Sequence, residues 1–145
     1  MAETKPLRAL IADDEPELAK YLQTKLAALW PELKFCSIAP NGLEALRMIE
    51  DENPDIAFLD IKMPGLTGLE VAQRIDSKTR LVFVTAYDQY AVEAFEHEAA
   101  DYLLKPVTDE RLSKCIARLK QQLATHAAPP EISSLLQKLS GLLPK

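Results

Sequence analysis

The feature that most restricts how this chain can fold is its repeated switching between short apolar runs and helical periodicity. Residues 7–12, 33–38, 56–59, 81–84 and 101–104 are apolar runs of strand length. Between them apolar residues recur at intervals of three and four: Leu18, Leu22, Leu26 and Leu29, then Leu43, Leu46 and Ile49, then Val71 and Ile75. A fourth helical stretch covers roughly 89–98, and a last one carries Leu112, Ile116, Leu119 and Leu123. The boundaries have their own signals. Acidic residues and Pro16 suit the first turn of a helix, Pro31 stops it, Asn41-Gly42 opens the next, and Asn53-Pro54 ends that one.

Strands alternating with helices imply right-handed crossovers and a parallel sheet covered on both faces. The near-continuous apolar character of the runs agrees, because parallel strands are buried on both sides. The expected fold is therefore α/β: a five-stranded parallel sheet in a doubly wound (βα)5 arrangement, with the flavodoxin-like strand order 2-1-3-4-5. A chain of 145 residues, 48% of them apolar and 27% charged, is large enough for one such core. Residues 1–125 are read as that domain, and 126–145 as a linker followed by an amphipathic helix. Ala127-Ala-Pro-Pro130 forms the linker, and Ile132, Leu135, Leu136, Leu139, Leu142 and Leu143 give the helix a wide apolar stripe. Packing back onto the domain and dimerising are both compatible with that stripe.

Charge and composition remove several function classes. No apolar run reaches the ~18 residues of a membrane span, and the first residues lack a secretory signal's apolar core, so a cytoplasmic location is expected. The net charge of −5 argues against nucleic-acid binding by this stretch, which would need clustered Lys and Arg. Cys36 and Cys115 lie outside any C-x-x-C pattern and are expected as reduced core thiols. His97, His126 and Trp30 show no ligand or donor pattern.

In doubly wound folds ligands bind at the carboxyl ends of the strands. Here those ends deliver Asp13-Asp14, Asp60, Thr85 and Lys105. Carboxylates crowded together repel, and Mg²⁺, a hard ion that takes carboxylates, waters and phosphate oxygens, relieves this. Lys105 adds a mobile cation and Thr85 a short hydroxyl. Such a set suits phosphoryl transfer, where positioning and charge stabilisation do most of the work. Asp60, at the end of the central strand, is the natural nucleophile. Taken singly, Asp14 is as well explained as a helix cap, Asp60 as a turn residue, Thr85 as a strand former and Lys105 as a solvated lysine. Their coincidence at one sheet edge is what favours chemistry.

Those residues resemble the pattern of response-regulator receiver domains of two-component signalling. Asp13-Asp14, the sequence Phe58-Leu-Asp60-Ile-Lys-Met-Pro64-Gly-Leu-Thr-Gly68, Val84-Thr85-Ala86 and Leu104-Lys105-Pro106 match it in order. The resemblance implies that Asp60 is the phosphoacceptor, with a sensor histidine kinase as donor. It implies Mg²⁺ on Asp13, Asp14, Asp60 and the backbone carbonyl of Lys62, with Thr85 and Lys105 on phosphoryl oxygens. It implies a cis Lys105-Pro106 bond that aims the lysine inward, and a switch pair, Thr85 and Tyr102. It also implies possible homodimerisation through the fourth helix, the fifth strand and the last helix, and no enzymatic turnover beyond the domain's own phosphorylation and dephosphorylation. Lys62 and Tyr87 are expected to tune the phosphoryl lifetime.

Residues 85–106 look most like the LytR/AlgR-type transcriptional regulators, which carry a LytTR DNA-binding domain. DNA would then be reached only through an output domain outside this chain, and the stop at Pro144-Lys145 favours a fragment. A stand-alone receiver acting through protein contacts is the alternative. An Asp-nucleophile phosphatase of the haloacid dehalogenase type is disfavoured, because Lys62 stands where its general acid belongs. A flavin carrier of the same fold lacks support, since no Ser/Thr-rich loop follows the first strand.

Overall fold

The computed structural model of the protein describes residues 6–75, 78–86 and 99–125. Five strands form one sheet: β1 (Arg8–Ala12), β2 (Lys34–Phe35), β3 (Ile56–Leu59), β4 (Arg80–Thr85) and β5 (Asp101–Leu104). Their order is β2-β1-β3-β4-β5 and every pairing is parallel. The described helices are α1 (Pro16–Leu29), α2 (Gly42–Glu52), α3 (Gly68–Arg74) and α4 (Asp109–Thr125). The expected flavodoxin-like doubly wound sheet is what the chain adopts. The expected helix at 89–98, Tyr87 and the expected C-terminal segment at 126–145 lie outside the described residues.

The two-residue period of the strands divides the core in two. Leu10, Ala12, Ala57, Leu59, Leu81, Phe83 and Tyr102 face one side and pack with Ala45, Ile49, Leu69 and Val71 of α2 and α3. Ala9, Ile11, Ile56, Phe58, Val82, Val84 and Leu103 face the other, against Leu22 and Leu26 of α1 and Leu112, Ile116 and Leu119 of α4. Phe58, Phe83, Leu10 and Ile56 are among the largest fully buried side chains. Both faces are covered, which is why the strands read as continuous apolar runs.

Local chemistry sets the helix ends. Asn41 caps α2 by accepting from the Glu44 N–H at 2.9 Å, and Asn53 closes it in the left-handed region at φ 47°. Thr67 and Glu70 make a reciprocal capping box at the start of α3. Pro16 occupies the first turn of α1, as its fixed φ allows.

One strand is shorter than its sequence suggests. The apolar run 33–38 yields only Lys34–Phe35, because the Leu33 N–H turns back to the Trp30 carbonyl at 3.1 Å. Beyond it the chain follows β1 loosely, with the Cys36 and Ala39 N–H groups donating to Ala9 and Ile11 at 2.9 Å. An edge strand needs only one neighbour, so its pairing can lapse without orphaning the sheet's other side. No helix among the described residues is long and apolar enough to cross a membrane.

Candidate functional site

Strand register brings the site together. Ala12 pairs with Leu59, so the next residues, Asp13 and Asp60, emerge side by side from adjacent central strands. The Asp60 N–H donates to the Ala12 carbonyl at 3.0 Å and fixes that stagger. Thr85 pairs with Leu104, and the Lys105 N–H donates to the Thr85 carbonyl at 2.8 Å. Four sequence-distant segments thus end at one edge of the sheet.

The carboxylates of Asp13, Asp14 and Asp60 offer oxygens that lie within 4.8 Å of one another, with Asp13 and Asp60 buried and Asp14 exposed. The Lys105 Nζ bridges two of them, donating to Asp13 Oδ2 and Asp60 Oδ2 at 2.9 Å each. The Lys105–Pro106 peptide bond is cis. Three carboxylates gathered around the Lys105 ammonium make the cluster strongly acidic. The site therefore suits a hard cation with oxygen preference.

Asp60 is held from several sides. The Lys62 N–H donates to Asp60 Oδ1 at 3.2 Å, while the Lys62 side chain is exposed at the site's mouth. Behind Asp60 the start of α3 presses so close that a Cβ on Gly68 would lie 2.4 Å from the Asp60 carbonyl oxygen. Only glycine fits there. Burial pushes the Asp60 carboxyl above its ordinary value; Lys105 opposes the shift and the charge of Asp13 adds to it. Burial works against the Lys105 ammonium, but its hydrogen bonds to Asp13 and Asp60 outweigh this, and it titrates above its ordinary value.

The remaining expected residues have distinct settings. Asp14 does not cap α1; the carboxylate of Asp13 instead accepts the Glu15 N–H at 2.9 Å, which leaves Asp14 clear of helix capping. Thr85 is 0% exposed and its Oγ1 has no hydrogen-bond partner among the described residues. A buried hydroxyl without a partner costs free energy unless something arrives to accept its proton. Tyr102 is buried in the α2–α3 side of the core, next to β4 through its pairing with Phe83.

Two features were not legible in the sequence. The cavity above the carboxylates, about 510 Å³, extends far past them to Leu18, Tyr21 and Leu22 of α1 and to Val107 and Leu112. Asp101, only 1% exposed, binds the Arg111 guanidinium through two contacts of 2.6 and 3.2 Å, with Arg118 at 3.4 Å. Arg111 and Arg118, seven residues apart on one helix, were the available signal. Cys115 is buried against this cluster, where burial drives its thiol pKa far up, whereas Cys36 is only half-buried beside Arg8.

A buried aspartate just past the central strand of a parallel sheet, beside an acidic pair and a lysine just past strand β5, is the layout of a receiver. The chain belongs to the response regulator receiver domain family, whose model matches residues 9–117. It is thus the receiver domain of a response regulator of two-component signalling. It is 46% identical over 138 residues to an uncharacterized response regulatory protein of Vibrio cholerae, covering 92% of this chain and 53% of that protein. It is 40% identical over 118 residues to the transcriptional regulatory protein BtsR of Escherichia coli strain K12, covering 80% of this chain and 49% of BtsR. The chain therefore spans about half the length of these curated relatives.

Among solved structures, the REC domain of AraT, a response regulator from Geobacillus stearothermophilus, superposes with a TM-score of 0.77 at 28% identity, covering 84% of this chain and 98% of that one. A DNA-binding response regulator of the LuxR family from Staphylococcus aureus gives 0.71 at 28% identity, covering 78% and 98%.

Proposed function

We propose that Asp60 is the residue through which this receiver takes its signal, accepting a phosphoryl group from a sensor histidine kinase with Mg²⁺ bound. One observation carries the reading: a buried carboxylate, two further carboxylates, a lysine and a buried hydroxyl with no partner among the described residues share one cavity. Asp13, Asp14, Asp60 and the backbone carbonyl of Lys62 would hold the ion. Bound there, Mg²⁺ would offset the negative charge that otherwise keeps a phosphoryl group away from three carboxylates.

An Asp60 carboxylate oxygen forms the new bond to phosphorus as the donor's bond to phosphorus breaks. Lys105, already 2.9 Å from that carboxylate, pairs with phosphoryl oxygens, and the Thr85 hydroxyl donates to one of them. The added −1.5 to −2 charge, roughly, at pH 7 gives Thr85 a partner present only in the phosphorylated state. Thr85 and Tyr102 then act as the switch, biasing one of two packed arrangements. The face built from β5, α4 and the segment between β4 and β5 is the proposed dimerisation surface.

The whole protein is proposed to be a transcription regulator of the LytR/AlgR type, with DNA bound by an output domain beyond this chain and with a cytoplasmic location. Two facts support this: relatives about twice as long, and BtsR being named a transcriptional regulatory protein. Residues 126–145 are proposed as linker and amphipathic helix following the receiver.

Mass spectrometry after incubation with acetyl phosphate and Mg²⁺ tests the site. One phosphoryl group is expected on the peptide containing Asp60, with none after EDTA treatment and none on Asp60→Asn. Lys105→Ala is expected to slow labelling by on the order of 10²-fold, the scale of losing one preorganised charge contact. Modification mapped to any other residue would sink the reading.

A further inference from the structure

The cavity is larger than its charged end requires. At about 510 Å³ it falls within the ~300–1,000 Å³ typical of small-molecule sites, and like them it is apolar over most of its wall. One end holds Asp13, Asp14, Asp60, Thr85 and Lys105. The other is walled by Leu18, Tyr21 and Leu22 on α1 and by Pro106, Val107 and Leu112 across from them. Leu18 and Tyr21 are exposed, at 38% and 51%, although both are large and apolar. Lys25 on this wall is already paired: its Nζ donates to Asp109 at 2.6 Å and lies 5.2 Å from the centre of the Tyr21 ring. This end therefore offers mainly apolar surface, although Glu15 also lines the cavity.

The two ends are continuous. A phosphodonor with its phosphorus at Asp60 can lay its organic part along the same cavity. From this we infer that the apolar arm is a leaving-group subsite, selecting acyl phosphates whose acyl group is bulky and apolar. The inference rests on Asp60 being the phosphoacceptor. In the step, an Asp60 oxygen forms a bond to phosphorus, and the bond between phosphorus and the acyl oxygen breaks. The electron pair leaves with the acyl oxygen as a carboxylate. No proton or co-reactant is needed: a donor dianion and the Asp60 anion become an acyl phosphate on Asp60 and a free carboxylate anion. Water is displaced from Leu18, Tyr21 and Val107 when the apolar group enters, and that contribution is absent for a donor as small as acetyl phosphate.

Benzoyl phosphate and acetyl phosphate make the comparison, because both release a weakly basic carboxylate by the same bond cleavage. Second-order rate constants for labelling of Asp60 at saturating Mg²⁺ are measured by mass spectrometry for each donor. Benzoyl phosphate is expected to react roughly tenfold faster or more, the scale of filling an apolar pocket. Tyr21→Ala and Leu18→Ser, both at exposed positions of α1, are expected to lower the benzoyl-to-acetyl ratio at least threefold. A wild-type ratio near one, or a ratio unchanged in both variants, overturns the subsite. Labelling of Asp60 by neither donor overturns the phosphoacceptor reading itself, and the subsite with it.

Discussion

Asp60 is kept in a state the fold does not favour. Its carboxyl titrates above the ordinary 3.8 because it is buried, so the native protein holds that proton more tightly than the unfolded chain does. Below pH 3.8 both states are protonated and the native state carries no penalty. As the pH rises from there through the folded value, native Asp60 must give up the better-held proton, and stability is lost. Asparagine has no proton to lose. Asp60→Asn is accordingly expected to be more stable than wild type at pH 7 by about 0.5–2 kcal/mol, the usual gain from relieving a functional site. The difference should open as the pH rises through the window, as urea denaturation of the metal-free protein at several pH values can show. A variant less stable than wild type at pH 7 would mean that Lys105 more than compensates the burial of Asp60. Little of this was readable in advance. The motif marks Asp60, but a raised pKa depends on what surrounds the carboxylate, and Asp13 and Lys105 come from 47 and 45 residues away in sequence.

The strand that leads to Lys105 is tied to its neighbouring helix by half-exposed arginines gathered on the buried Asp101. Arg111 of α4 grips the Asp101 carboxylate and also donates to the Tyr102 carbonyl at 3.1 Å, at the root of β5. Removing one partner of a buried pair strands the other charge, which typically costs 3–5 kcal/mol. Here Arg111 is 39% exposed and Arg118 remains as a second partner at 3.4 Å, so Arg111→Met is expected to cost only about 1–2 kcal/mol by urea denaturation. Adding Asp101→Val should recover most of that loss, because the stranded charge is then gone. A loss below about 0.5 kcal/mol in the single variant would mean the cluster is not a structural tie.

Element types and most boundaries were legible from periodicity, from Pro16 and from the asparagines at 41 and 53, since each acts through local backbone geometry. The exception is β2. Its run was apolar enough for six residues of strand, but apolar character reports burial, and Leu33 is buried in a turn rather than in a ladder. The Asp101 cluster escaped notice for a related reason. An aspartate opening an apolar strand reads as a boundary residue until the helix carrying its arginines is folded across it.

For the molecule as a whole, the proposed ion site couples binding to folding. An ion that binds only the native state at about a hundred times its dissociation constant adds about 2.7 kcal/mol. For a domain of this size that is a rise of roughly 5–10 °C in melting temperature. Mg²⁺ is expected to give such a rise reversibly with EDTA, and Asp14→Asn to lose most of it. Because Asp14 is exposed and supports no helix cap, that variant should melt like wild type in EDTA. An equal Mg²⁺ response in wild type and variant would place the ion elsewhere.

The sequence by itself determined the parallel sheet, its strand order and the edge at which Asp13, Asp14, Asp60 and Lys105 gather. Hydrophobic period and turn residues act locally, and right-handed crossovers leave few topologies open. Tertiary structure alone decided that Lys105 bridges Asp13 and Asp60, that the Thr85 hydroxyl is buried with no partner among the described residues, and that the cavity runs on between α1 and α4. Those outcomes depend on the angstrom-scale spacing of groups brought together across the sheet, which no pattern along one chain encodes directly.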